Sequence, residues 1–368
     1  MRVRLPPDLL AVLLTHPERL DAQAIGAGDA AARAGDAAAL VCEAERQHVV
    51  PLASRALDAI DASAPAAAAM HAAAAAWALR ERGEREAVGA FLDAATGVPM
   101  LFFKGASTAH TLYAAPWMRM REDWDVLVAP GSDAAARAAL AAAGFAADRA
   151  TKPGRIRMRQ QSFRRDVPGS ECIVDLHLRA LNPPSLADRV PYADLERCSV
   201  PLAALHPAAR GLADEAALVV ACAHRLAHHS GEPRLAWDYD VLLLSRRITA
   251  EGAARVAELA DRWGARAFVA AELGRVATRF DEASNEDLAR LFDSTPGAAH
   301  GYLRPNRSRA REFALDWRAL GWRARMGLLR ETLLPDASFV RATTGSRLPL
   351  PLLYAARIAR GVVGWFRH

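Results

Sequence analysis

Lysine is nearly absent from this chain: Lys104 and Lys152 are the only two among 47 basic residues, so its cationic surface is built from arginine. Cysteine is scarce as well. Cys42, Cys172, Cys198 and Cys222 lie far apart with no C-x-x-C pair, which argues against a disulfide scaffold or a cysteine-based zinc centre and predicts reduced side chains in the interior. No stretch approaches the ~18 uncharged apolar residues of a membrane-spanning helix, so no stable membrane insertion is expected. The opening MRVRLPPDLLAVLLTHPERL has a short apolar run broken by proline and charge instead of a leader with a small-residue cleavage site. A cytoplasmic protein is the expectation. A net charge of +5 spread over 368 residues is a weak field, compatible with phosphate-bearing ligands without demanding nucleic acid.

What is present is apolar mass: 52% of residues are hydrophobic, enough for a sizeable core and for two or three domains. Residues 1–96 read as a helical N-terminal domain. Alanine tracts favour helix, charges recur at helical spacing, and Leu40, Val49, Val50, Leu52, Leu57 and Trp77 supply anchors for packing. The texture changes at Gly97-Val-Pro. MLFF (100–103) predicts a strand, Lys104-Gly105 a turn, and the stretch to Tyr113 a helix; WDVLVAP predicts a second strand, followed by a helix that Gly144 should end. RIRMRQQSFRRD and ECIVDLHLR alternate around Pro168-Gly169 as a hairpin. Residues 97–203 therefore form a compact mixed α and β unit. From 204 to 368 helical signals return as a C-terminal domain, with 294–311, rich in Gly, Pro and Arg, expected as a long surface loop.

The chemistry-bearing residues cluster in the middle unit. In a strand, residues i and i+2 share a face, so Asp123 and Asp125 project together while Trp124, Val126 and Val128 project oppositely. Adjacent carboxylates repel and raise each other's pKa unless a cation lies between them. In IVDLHLR, Asp175 and His177 share a face in the same way. If that strand lies beside WDVLV, three aspartates converge, a set that holds divalent Mg²⁺ or Mn²⁺ and supports phosphoryl or nucleotidyl transfer. Lys104-Gly105-Ala106-Ser107, a strand end running into a helix N-terminus, is the candidate phosphate cradle. A lysine in a chain that otherwise uses arginine suggests that an ammonium is needed there.

LFFKGASTAHTLY, then Arg119, then DWDVLV, then IVDLH together resemble bacterial nucleotidyltransferases of the DNA polymerase β superfamily. The group in question has a pattern of the kind K-G-x-x-L…Y…R-x-x-x-D-h-D-h-L-V…h-D-L-H, where h is apolar. The arrangement is also similar to the AbiEii-type toxin nucleotidyltransferases, which carry K-G-G-T ahead of R-x-S-x-D-h-D. AERQHVVPLASRAL (44–57) and RLAWDYDVLLL (234–244) extend the likeness over the flanking helices. The chain departs from the patterns in three places: Ala106 replaces a second glycine, Ser107 stands where the related pattern has threonine or another residue, and the interval from Gly105 to Asp123 is longer than in members with G-S…D-x-D. The resemblance implies an α+β fold, mostly α overall, with a mixed β-sheet core of nucleotidyltransferase type. It makes Asp123, Asp125 and Asp175 metal ligands and catalytic groups, and gives Lys104, Gly105, Ser107 and Arg119 to the nucleotide phosphates. It implies an NTP substrate, a hydroxyl-bearing acceptor (small molecule, sugar, peptide or protein, or RNA end) and release of pyrophosphate. A catalytically silent nucleotide-binding scaffold and a toxin-like tRNA-modifying enzyme are the alternatives.

Other features carry less. His177 reads as an auxiliary group that orients Asp175 or acts as a base, or as an ordinary hydrogen-bonded histidine. His224 and His228 share a helix face, but Arg225 stands where a zinc protease needs glutamate; packing between helices near Asp238 and Asp240, or lining the cleft, are the readings for this pair. Arg155, Arg157 and Arg159 line one strand face with Arg164 and Arg165 nearby, either a grip for an anionic acceptor or nucleic acid or a solvated hairpin surface. No aromatic interleaving or known nucleic-acid motif accompanies them. In the closing segment Arg357, Arg360 and Arg367 form a stripe, expected to dock on its own domain, with contact to anionic lipid as the alternative.

Overall fold

A computed structural model describes residues 9–15, 30–59, 64–148, 156, 159–229, 232–281, 285–293, 303 and 308–366. The elements before the sheet are α1 (Leu9–Thr15), α2 (Ala30–Arg46), α3 (Val50–Ala59) and α4 (Ala64–Ala94). The middle of the chain supplies β1 (Met100–Phe102), α5 (Lys104–Thr111), β2 (Trp124–Val128), α6 (Asp133–Ala142), β3 (Ala146–Ala147), β4 (Gln160–Val167) and β5 (Ser170–His177), then the short α7 (Pro184–Ala187) and α8 (Tyr192–Arg197) and the β6 (Ser199–Pro201) and β7 (Arg210–Leu212) ribbon. Helices follow: α9 (Asp214–His228), α10 (Leu235–Arg247), α11 (Ala250–Arg262), α12 (Arg266–Phe280), α13 (Glu286–Phe292), α14 (Arg309–Ala319), α15 (Trp322–Leu333), α16 (Ala337–Thr344) and α17 (Leu350–Phe366). The fold is mostly helical α+β around one mixed sheet, as expected.

The five strands lie in the order β1-β2-β5-β4-β3, with β2 and β5 parallel and every other pair antiparallel. Pro168 and Gly169 make the two-residue turn of the β4–β5 hairpin, and Gly169 takes a left-handed φ of +73°, which glycine adopts without a Cβ clash. The chain reaches β5 through α6 and this hairpin, and that route allows β5 to run parallel to β2. Every residue of β2 is buried. Trp124, Val126 and Val128 pack with Phe91 of α4, Leu140 of α6 and Val174 of β5, while Leu127 joins Leu101 and Phe103 in a second core shared with α1–α4 and α9–α13. Fully burying each such aliphatic side chain contributes roughly 1.5–3 kcal/mol. The apolar residues of β2 thus bury the strand on both faces and carry its carboxylate inside.

All six anchors named for the N-terminal helices are buried, and Trp77 donates its indole N–H to the Trp117 carbonyl at 2.8 Å. The charges of α4 are not all solvated. Glu84 accepts from the Trp124 indole at 3.1 Å and pairs with Arg80, and Glu81 accepts from Arg121 at 3.2 Å, so α4 props up the residues leading into β2.

Several expectations need correction. Helices α11 and α12 are separated at Gly264, which turns the chain with φ +64°. The loop expected at 294–311 lies mostly outside the described residues, and its last residues begin α14, whose N-terminus Ser308 caps by accepting the Arg311 N–H. Arg155, Arg157 and Arg367 also fall outside them. Arg164 is paired with Asp148 at 2.9 Å and with Glu171, and Arg165 donates to the Ala143 carbonyl at 2.9 Å. Arg164 thus bridges the hairpin strands, and Arg165 ties the hairpin to the end of α6. All four cysteines are free, with Cys172 and Cys222 buried, but Cys42 is exposed.

Candidate active site

The parallel pairing of β2 and β5 sets Asp125 directly opposite Asp175. His177 lies one pleat further along, on the same sheet face, and the side-chain ligand atoms of Asp125, Asp175 and His177 fall within 4.8 Å of one another. His177 approaches Asp125 Oδ1 with Nε2 at 2.8 Å, and the Lys104 ammonium reaches the same oxygen at 2.7 Å. Asp175 is held from the neighbouring strand: Gln160 Nε2 donates to Oδ2 at 3.0 Å, Ser162 donates to Oδ1, and Asn182 Nδ2 donates to the Gln160 carbonyl oxygen at 2.7 Å. His177 therefore positions Asp125, whereas its expected partner was Asp175.

Asp123 stands outside the 4.8 Å group but lines the same cleft. Burial, then the charges of Asp125 and Asp175, push its carboxyl well above the ordinary range. Asp125 goes the other way. Burial acts to raise it, but Lys104 and the His177 hydrogen bond outweigh burial and hold it ionised well below the usual carboxylate value. Two neighbouring carboxylates in a low dielectric divide in this manner, one protonated and one charged, until a cation allows both to ionise. His177 is kept neutral by burial and then by Lys104, and its Nδ1 is buried without a partner.

Lys104 has φ +53°, a left-handed backbone that costs a non-glycine residue on the order of 1 kcal/mol or more and is seen where a site over-determines the chain. This turn drops Phe103 edge-on against His177, with centroids 5.0 Å apart, and aims the ammonium at Asp125. At Gly105 an added Cβ would meet Arg119 and Arg121 atoms only at 3.5–3.7 Å, ordinary contact. Packing does not require glycine there. The first N–H groups of α5 have no side-chain cap, which leaves them available to an anion.

Ser107 and Arg119 line the cleft, yet both are engaged by the protein. The Ser107 hydroxyl accepts the Leu212 N–H at 3.1 Å and pins β7 to α5. The buried Arg119 guanidinium grips Asp240 of α10 through Nε and Nη2 at 2.8–2.9 Å, and the Tyr113 hydroxyl donates to the same carboxylate at 2.7 Å. These contacts fix α10 against the segment leading into β2 and engage both side chains within the protein.

Across the cleft, the end of α9 presents His224, His228 and His229, with the first two rings 4.3 Å apart and His229 4.5 Å from the Trp237 ring. His228 Nε2 accepts the Asn182 N–H at 2.9 Å, so its proton resides on Nδ1. Burial first, then the Lys104 charge, holds all three neutral, His229 at about 4. They line the cleft together with Asp240, while the ion-pair partners of the two acids are Arg275 and Arg279 for Asp238 and Arg119 for Asp240. Glu122 bonds to His48 at 3.1 Å and Arg234 at 3.4 Å, and the His48 contact lowers its carboxyl to about 2. The enclosed space is about 710 Å³, within the range of cofactor-sized sites.

Gln160, Ser162 and Asn182 were not singled out from sequence, and Asp240 was named only as a neighbour of the α9 histidines. Gln160 and Ser162 had a faint signal, polar residues at i and i+2 in the strand preceding IVDLH; Asn182 had none, since it reaches the site only through the loop after β5.

Residues 33–281 match the family described as uncharacterised nucleotidyltransferase, well over half of the chain, and the chain belongs to that family. The match spans the sheet and both cleft walls and stops before α13. No curated relative and no solved structure matches the chain.

Proposed function

We propose that the protein is a divalent-metal-dependent nucleotidyltransferase of the DNA polymerase β-like superfamily. It would move an NMP from an NTP to a hydroxyl acceptor and release pyrophosphate, with residues 97–203 as its catalytic unit between helical parts. The observation that carries this reading is the register of β2 on β5, which puts Asp125 opposite Asp175 with His177 and Asp123 alongside. Hard carboxylate oxygens with one imidazole suit Mg²⁺ or Mn²⁺. Burial and the charges of Asp125 and Asp175 push the Asp123 carboxyl up, as happens in a carboxylate cluster whose charge exceeds its cations. Asp123, Asp125 and Asp175 would hold the metal, and a bound divalent ion supplies neutralisation of developing phosphate charge.

The chain's own residues do the rest. Lys104 and the α5 N-terminus receive the phosphates, and on nucleotide binding Lys104 exchanges its Asp125 contact for phosphate oxygen. Gln160 and Ser162 keep Asp175 oriented toward an acceptor hydroxyl, and the neutral histidines of α9 form the facing wall. The test is nucleotide binding with Mg²⁺ or Mn²⁺. Loss of metal-dependent NTP binding in Asp123→Asn and Asp175→Asn, with unchanged circular dichroism, supports the proposal. Full binding in both refutes it.

A further inference from the structure

Of the ten large hydrophobic side chains that stand exposed among the described residues, seven lie between residues 322 and 358. Trp322, Met326 and Leu329 are 70%, 49% and 37% exposed and recur at i, i+4 and i+7 of α15, one continuous stripe. The helix cannot roll the stripe inward, because its opposite side is tied down. Leu328 is buried, Arg325 Nε donates to the Trp317 carbonyl at 2.9 Å, and Glu331 accepts the Ile156 N–H at 3.0 Å. On α17, Leu352 is 57% exposed while its neighbour Leu353 is buried against Phe339 and Val340.

Charge segregates to the same arm. Residues 322–366 hold seven arginines and two carboxylates, an excess of five that equals the net charge of the whole chain, +5. The remainder of the molecule is neutral on balance. Arg323 and Arg330 flank the α15 stripe and are exposed, and Arg323 sits 5.5 Å over the Trp322 ring. Among the described residues no helix is long and apolar enough to cross a membrane.

We infer that the α15–α17 arm is a peripheral docking surface for anionic lipid membranes. Leu, Met and Trp flanked by arginine is the composition that buries in a lipid headgroup boundary, the aliphatic side chains entering while guanidinium groups stay with phosphate. A nucleic acid would find cations here but little use for Met326, Leu329 and Leu352. A second copy of the chain is disfavoured because a two-fold contact would set the same arginine rim against itself. The arm lies beyond the family match, yet Glu312 of α14 lines the catalytic cleft, so docking would hold that cleft near the lipid surface. The inference does not depend on the nucleotidyltransferase reading.

The test is co-sedimentation of the full chain with phosphatidylglycerol-containing vesicles and with pure phosphatidylcholine vesicles. Binding to the anionic vesicles alone is expected, weakened by salt and about tenfold weaker in both the W322S/M326S/L329S variant and the R323E/R330E variant. All five positions are exposed, and circular dichroism checks the fold. Absence of binding to anionic vesicles, equal binding to both vesicle types, or unchanged binding in the two variants overturns the inference. So does dimerisation or RNA binding that these substitutions abolish while vesicle binding persists.

Discussion

Two buried arrays of charge lie a short distance apart in this molecule, and their bookkeeping differs. In the helical part, Arg225 forms a two-point pair with Glu272 at 2.6 Å, and Arg275 forms one with Asp238 at 2.6–2.7 Å while also reaching Glu272. Arg279 adds a second contact to Asp238 at 3.2 Å. Each carboxylate there is met by guanidinium groups of matching geometry. At the sheet, Asp123, Asp125 and Asp175 face one lysine and one neutral histidine. The helical array, three arginines to two carboxylates, ties α9, α10 and α12 together, and its removal is a matter of folding. The sheet array instead has more carboxylates than cations, an arrangement suited to taking up positive charge.

The sharpest way to break this comparison is to neutralise one acid in each array. Asp125→Asn should lower nucleotidyl transfer about a thousandfold, since charge stabilisation at such a centre amounts to several kcal/mol and each 1.36 kcal/mol is a factor of ten. Its urea midpoint should fall less than that of Glu272→Gln, because losing the Lys104 contact is partly offset by relief of the repulsion that Asp125 exerts on Asp123. Glu272→Gln should do the reverse, leaving Arg225 buried beside a neutral partner and lowering unfolding free energy by about 3–5 kcal/mol. If Asp125→Asn destabilises more than Glu272→Gln, the distinction between the arrays fails.

A smaller effect tests what lies between the carboxylates. Lys104→Met should weaken NTP binding by about tenfold, the loss of one charge-assisted contact, and should raise the Asp125 carboxyl because its main cation is gone. The acid limb of metal binding, followed by titration calorimetry, should move to higher pH. An unmoved limb would mean that Lys104 does not control Asp125.

The smallest effect concerns a group in neither array. His110 is half-buried beside Trp124 and near Arg121, and desolvation, then the Arg121 charge, lowers it to about 3 from 6.5. The unfolded chain therefore binds a proton that the folded chain refuses. Stability from keeping His110 neutral is fully present above pH 6.5 and is lost progressively as pH falls from 6.5 toward 3. His110→Phe should flatten that part of the melting temperature against pH curve, with little change at pH 8.

Much of the site was legible because strand geometry is local. The alternation in WDVLV and IVDLH marked Asp125, Asp175 and His177 as facing groups, and Gly169 announced the hairpin that delivers β5, whereas Asp123 precedes the strand and stands outside that close group. Arg119 shows where such reading stops. Its place before D-x-D suggested a phosphate contact, but its guanidinium is saturated by Asp240, 121 residues later in the chain, and no local pattern reports that pairing. The histidines of α9 were recognised as sharing a face, yet whether that face met solvent, core or cleft depended on how α9 crosses the sheet.

Residue spacing by itself determined which side chains share a strand or helix face, because the periods of 2 and 3.6 are properties of the backbone alone. Only the tertiary structure decided which faces meet: the parallel seating of β5 on β2, the choice of Asp125 over Asp175 as the partner of His177, and the commitment of Arg119 and Ser107 to holding the fold. Those outcomes turn on burial and on the balance of charges brought from distant segments, quantities that exist only once the chain has closed on itself.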